Sequence, residues 1–180
     1  MFLTCNVAWA EYIPSDECAE CHAERDEETP YVVDSMMIGA VHEDLDCVDC
    51  HADIEELPHE NVMQVDCGEC HDDVSAIYRH HGMGQVGETE DLPPCAGCHG
   101  THHILHSSDK RSPVHSINLP GTCGICHKDL DLAKKHQIRV QNPVESYEAS
   151  VHGKATHMGI HVAATCIDCH SSNGSGHDIW

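Results

Sequence analysis

The sequence predicts a small domain of irregular loops and short α-helices with almost no β-structure. Three observations predict it. Large aromatics are scarce: one Phe, two Trp and four Tyr make up 4% of 180 residues, so the side chains that usually supply much of a core's buried area are missing. Runs with strand periodicity are almost absent. A five-residue pattern, Cys-x-x-Cys-His, recurs six times, which over 180 residues is about one copy per 30.

The copies are Cys18-Cys21-His22, Cys47-Cys50-His51, Cys67-Cys70-His71, Cys95-Cys98-His99, Cys123-Cys126-His127 and Cys166-Cys169-His170. This is the attachment signal of c-type haem. The two thiols add across the haem vinyl groups as thioethers, and the histidine sits under the iron. Structural zinc would need two Cys pairs, or a pair with separated His. A thioredoxin-like motif would occur once, beside a βαβ pattern. A disulfide framework would not place His after every second Cys. With 19 His in 180 residues, six such placements by chance have odds of about one in a million. The sequence therefore predicts six covalent haem c groups with their iron, and a haem-organised fold. At this density porphyrin edges must meet, and the chain without haem is expected to be largely disordered, as metal-dependent domains are.

Helices should be short. Asp72–Arg79 reads as one, with acids at its start. Asp129–His136 reads as another, acidic first and basic last. Each motif should occupy a short helical turn. Pro93-Pro94, Pro113, Pro120-Gly121 and Pro143 mark loops. Motif starts lie 29, 20, 28, 28 and 43 residues apart, so no solenoid period exists. A weaker repeat does. His81-Gly82 and His152-Gly153 each lie 14 residues before a motif, and His-x-Ile follows each of those motifs. Residues 81–104 and 152–179 thus read as two copies of one haem-binding unit. Residues 11–180 are expected to form a single hexahaem domain.

Thirteen histidines remain after the six in motifs, from a total of 19. Met36, Met37, Met63, Met83 and Met158 could also serve as sixth ligands, but His is in excess, so low-spin, low-potential bis-His haems are expected throughout. The repeat selects His81, His102, His152 and His177. His42 and His59 are the only non-motif histidines in the first third, and complete a set of six. His115, His136 and His161 stand in reserve, while His106 and His157 read as solvated.

Haem attachment of this kind occurs outside the cytoplasm, so an exported, periplasmic or extracellular protein is expected. Residues 1–10 read as the tail of a secretory signal, with Ala8-Trp9-Ala10 as its cleavage site. Cys5 is a poor lipid-attachment site and is taken as inert. Net charge is −22, from 9 basic and 31 acidic residues. Six ferric haems bring it to about −28. That excludes nucleic acid and anionic lipid as partners. It favours a cationic redox partner or metal ion, or simply keeps a haem-rich surface soluble. No run of 18 apolar residues offers a transmembrane segment.

Three local patterns carry a family likeness: Leu57-Pro58-His59 after a motif, Ser150-Val151-His152-Gly153 before one, and Gly100-x-His102-x-Ile104 directly after Cys95–His99. On these the chain resembles the multihaem c-type cytochromes of the cytochrome c3/NapC-like superfamily, over residues 16–179. The resemblance implies closely packed haems in stacked and perpendicular pairs, and electron transfer in anaerobic respiration. Some relatives polymerise into extracellular filaments, so a homopolymer joined through end haems stands beside a soluble carrier. The chain lacks the membrane helix of NapC-type quinol dehydrogenases, which puts direct quinol oxidation in doubt. The leading expectation is an electron carrier or conductor with no catalytic residues, serving redox partner proteins or an extracellular electron acceptor. The alternative is a nitrite- or hydroxylamine-type multihaem oxidoreductase, which would need one open haem. Such enzymes often mark that haem with Lys in place of His, and all six motifs here end in His.

Overall fold

The computed structural model describes residues 12–24, 29–78, 81, 92–138, 140, 142–172 and 174–179. The expected signal remnant at 1–10, Cys5, His80, Met83 and part of the first repeat copy lie outside them. Among the described residues the chain consists of short helices and loops. It has no strand, only an isolated antiparallel bridge between Ser171 and Ile179. No described helix is long and apolar enough to cross a membrane. Contacts divide the chain into two compact units, one of Met1–Ile38 with His42–Asp66, the other of Gly39–Val41 with Cys67–Trp180.

In the first unit, α1 spans Ser15–His22 after the extended Pro14, with Asp16 and Glu17 in its first turn and His22 in its last. Acids at the start and a basic group at the end suit the helix dipole. A 3₁₀ turn covers Asp34–Met36. Helix α2, Cys47–Cys50, is a single turn held by a reciprocal cap between Asp46 and Asp49. The Ser15 hydroxyl donates to Asp46 Oδ1 at 2.7 Å and accepts from the Cys47 N–H at 3.0 Å. The Tyr12 hydroxyl also donates to Asp46. These bonds join the start of α1 to the start of α2. The two donors, Tyr12 first, hold the Asp46 carboxyl below its ordinary range.

The second unit begins with a 3₁₀ turn at Cys67–Glu69 and α3 at Asp72–Tyr78. Helix α4, Cys95–His99, follows Pro94 and stops at Gly100, whose φ of +85° bars a side chain without strain. Then come α5 (Leu119–His127), α6 (Leu130–Lys135), α7 (Pro143–Ala149), α8 (Val151–His157) and α9 (Cys166–His170). α5 packs against α6, α7 and α9, and α7 against α8. Among the described residues the buried apolar side chains are few: Ala40, Leu105, Leu119, Pro120 and Val144.

Polar ties supplement this thin core. The Ser112 hydroxyl, 1% exposed, donates to the Leu105 carbonyl at 3.2 Å. Asn118 Nδ2 donates to the carbonyls of Lys110 and Ser112, both at 2.8 Å. Tyr147 of α7 donates to the Ala164 carbonyl at 2.9 Å and shares a 2.8 Å bond with the buried Thr156 of α8. Thr156 Oγ1 also lies 3.0 Å from the His152 carbonyl, and its one hydroxyl proton serves either that carbonyl or Tyr147. The turn between α7 and α8 is tight enough that a Cβ on Gly153 would lie 2.2 Å from the Tyr147 carbonyl oxygen. That is why glycine follows His152.

The expected helices at 72–79 and 129–136 correspond to α3 and α6, the latter capped by Asp129, which accepts from the Asp131 and Leu132 N–H groups. The loop reading of two prolines needs correction. Pro120 and Pro143 lie in the first turns of α5 and α7, where a missing N–H costs nothing and a fixed φ favours the helix. Gly121 is helical as well.

Candidate functional site

Five of the six motifs form or end an α-helix, and the third occupies the 3₁₀ turn. Two carry their own cap. In α2 and α9 the third motif residue, Asp49 or Asp168, accepts from the N–H of the residue before the motif, at 2.8 Å and 2.7 Å. Asp168 also accepts from the Thr165 hydroxyl at 2.8 Å. These bonds from Thr165, its N–H first, hold the Asp168 carboxyl below its usual range. An acidic residue inside the motif thus fixes the turn that presents both sulfurs.

None of the twelve motif cysteines is joined in a disulfide. Several meet across motifs. Cys18 lies close enough to Cys47 for their charges to interact, and α1 packs against α2, so the first and second motifs are neighbours within the first unit. In the second unit Cys123 and Cys166 interact in the same way and α5 packs against α9, which brings the fifth motif beside the sixth. Cys98 is close enough to Cys126 for their charges to interact, which brings the fourth beside the fifth. His99 likewise feels His71, bringing the fourth beside the third. Within each unit, neighbouring motifs in sequence are neighbours in space.

The histidines form pairs. His22 and His59 have ring centres 5.9 Å apart at 15°. For His99 and His177 the figures are 5.7 Å and 7°. For His81 and His127 they are 6.4 Å and 43°. Each pair joins one motif histidine to one expected distal ligand. Iron bound by both Nε2 atoms at about 2 Å would set ring centres about 6.3 Å apart. The observed spacings lie within about 0.6 Å of that. Ring centres at this spacing suit two imidazoles with one haem iron between them, so these residues fit haem.

Protonation suits the same role. His22 Nδ1 lies 2.8 Å from the Pro30 carbonyl. A carbonyl only accepts, so Nδ1 carries the proton and the Nε2 lone pair is available. Burial, then the charge of His127, pushes His81 toward its neutral form. His127 is lowered by burial and then by His170. His99 is lowered by burial, then by His177 and His71, and His177 by burial and then by His71. Neutral imidazole is the metal-binding form. Nδ1 of His59 and Nδ1 of His81 are buried with no protein partner. Orphaned buried polar atoms are rare in folded proteins and call for a missing partner.

The other expected ligands are placed as follows. His51 and His42 are half-buried, the latter in the turn that follows Val41. His71 and His170 are exposed. His102 is half-buried in the bend after α4, and His152 is exposed on α8. Among the reserves, His115 is 7% exposed and sits edge-on to His161, ring centres 5.5 Å apart. His115 Nδ1 accepts from the Ile117 N–H at 3.3 Å. No cluster of three or more His, Cys, Asp or Glu able to hold a bare metal ion occurs among the described residues.

Two positioning groups escaped the sequence reading. Tyr78 lies edge-on to His81, ring centres 5.9 Å apart, and its hydroxyl donates to the Pro93 carbonyl at 2.7 Å. Its place three residues before His81 at the end of a helix was a readable signal. The Pro30 carbonyl was not, because a backbone acceptor leaves no mark in composition. No protein-family model, curated protein or solved structure matches this chain.

Proposed function

We propose that this chain is a multihaem electron-transfer protein, holding six c-type haems through its six motifs and conducting electrons in anaerobic or extracellular respiration. The observation that carries the reading is the set of three pairs, each joining a motif histidine to a non-motif histidine at 5.7–6.4 Å. Haem iron supplies the one-electron Fe³⁺/Fe²⁺ couple, and haems in contact pass electrons between neighbours.

The chain's residues do the rest. Each cysteine pair would anchor one porphyrin edge, and Asp49 and Asp168 cap the turns that carry the second and sixth pairs. His22 presents Nε2 because Pro30 occupies Nδ1. A second histidine beside His22, His99 and His127 would leave no open site for a small ligand at those three haems, which favours a carrier over an enzyme. The adjacency of motifs within each unit supports short paths between them. The reading includes export, and a redox partner protein or extracellular acceptor.

Denaturing mass spectrometry of the native protein tests it. Six haem masses should be added, and the ferric spectrum should be low-spin throughout. Five or fewer haems, or a high-spin site that binds nitrite, would overturn it.

A further inference from the structure

We infer that the distal histidines skip their nearest motifs: His59 pairs with His22, His81 with His127, and His177 with His99. This rests on the haem reading above and deepens it by naming which histidine closes which iron.

Sequence proximity points elsewhere in every case. His59 follows the second motif by eight residues but faces His22 of the first, at 5.9 Å. His81 lies between the third and fourth motifs but faces His127 of the fifth, at 6.4 Å. His177 follows the sixth motif by seven residues but faces His99 of the fourth, at 5.7 Å. A histidine only a few residues from its own motif lies on the same side of the porphyrin as the proximal ligand. To reach the opposite face the chain must travel around the ring, and a distant segment does so without strain.

One further observation agrees. In the His22 pair the Pro30 carbonyl leaves His22 Nε2 as its free donor atom. Each pair also closes a long loop, from 22 to 59, 81 to 127 and 99 to 177. Axial coordination would act there as a cross-link that restricts the unfolded chain.

A crossed deletion experiment on the holoprotein tests the assignment. The fourth haem is removed by Cys95→Ser with Cys98→Ser, and the fifth by Cys123→Ser with Cys126→Ser. His81→Gly should add one high-spin haem to the first background and none to the second. His177→Gly should do the reverse. Millimolar imidazole should return each new high-spin signal to low-spin, which separates a vacated ligand position from unfolding. The opposite crossing, or a high-spin site in both backgrounds, would overturn the pairing.

If the deleted backgrounds do not fold, His81→Met in the intact protein gives the second route. The shifted methionine methyl resonance should show contacts to the haem held by Cys123 and Cys126. Contacts to the haem held by Cys95 and Cys98 would overturn the assignment. The two levels fail separately. A native protein without six haems by mass defeats the functional reading, whereas six haems with reversed crossing defeats only the pairing.

Discussion

The two units solve the same problem with different means. Every buried residue among the described ones, from Ala40 to Thr165, belongs to the second unit. The first carries two motifs on α1 and α2 and joins them through Tyr12, Ser15 and Asp46, all polar. The second carries four motifs and also has a polypeptide knot, in which α5, α7 and α8 close over Leu119, Val144, Gly153 and Thr156. An unaided hydrophobic core can account for part of the second unit's order but not for the first's. On the proposed reading, bound porphyrins supply the core of the first unit outright and only supplement that of the second.

The largest expected effect breaks this comparison directly. Cys18→Ser with Cys21→Ser should abolish amide protection across 12–38 and 42–66 while leaving 112–165 protected in hydrogen-exchange mass spectrometry. The matching deletion at Cys123 and Cys126 should leave partial protection in α7 and α8. Equal collapse of both units would show that the knot contributes nothing by itself.

Gly153→Ala comes next. The added methyl meets the Tyr147 carbonyl oxygen at 2.2 Å, and forced overpacking of this kind costs about 3 kcal/mol. Thermal unfolding should show the loss, and exchange in the first unit should not change. Tyr147→Phe should cost about 2 kcal/mol, because it leaves the Ala164 carbonyl without its donor and the Thr156 hydroxyl with only the His152 carbonyl. A change under a few tenths would mean that water replaces the phenol without loss.

The smallest effect concerns the caps, one in each unit. Thr165→Ala should cost about 1 kcal/mol by removing the α9 cap. Asp46 and Asp168 both have native carboxyls held below the ordinary value of 3.8. Their contribution is complete above that value and is lost as pH falls through the lower native one. Unfolding temperature measured from pH 5 to pH 2 should therefore fall, and Asp46→Asn with Asp168→Asn should flatten the fall. An unchanged slope would assign acid sensitivity to other carboxyls.

The parts of the fold legible in sequence were those set by adjacent residues. α3 and α6 announce themselves by acids in the first turn, and α6 by the Asp129 cap. The α7–α8 corner was not legible. Pro143 reads as a loop signal when its helix partner is unknown, and the need for glycine at 153 comes from a backbone contact with Tyr147. The same division holds at the site. The internal repeat placed His81 and His177 among the expected ligands and the lack of alternatives placed His59, and the structure brings each against a motif histidine. Which motif it would be depends on chain segments as far apart as 99 and 177, and no local pattern encodes that.

The bond between His22 and Pro30 has a consequence for mutational robustness. Its acceptor is a main-chain carbonyl, so no single codon change at position 30 deletes the oxygen. Only a change in the path of the loop can. His177 has a side-chain neighbour instead, with Nδ1 3.4 Å from the Ser175 hydroxyl, which one substitution removes. Across diverging descendants of this sequence, the proton on His22 should therefore stay where it is through many substitutions, whereas the setting of His177 is open to drift and to selection.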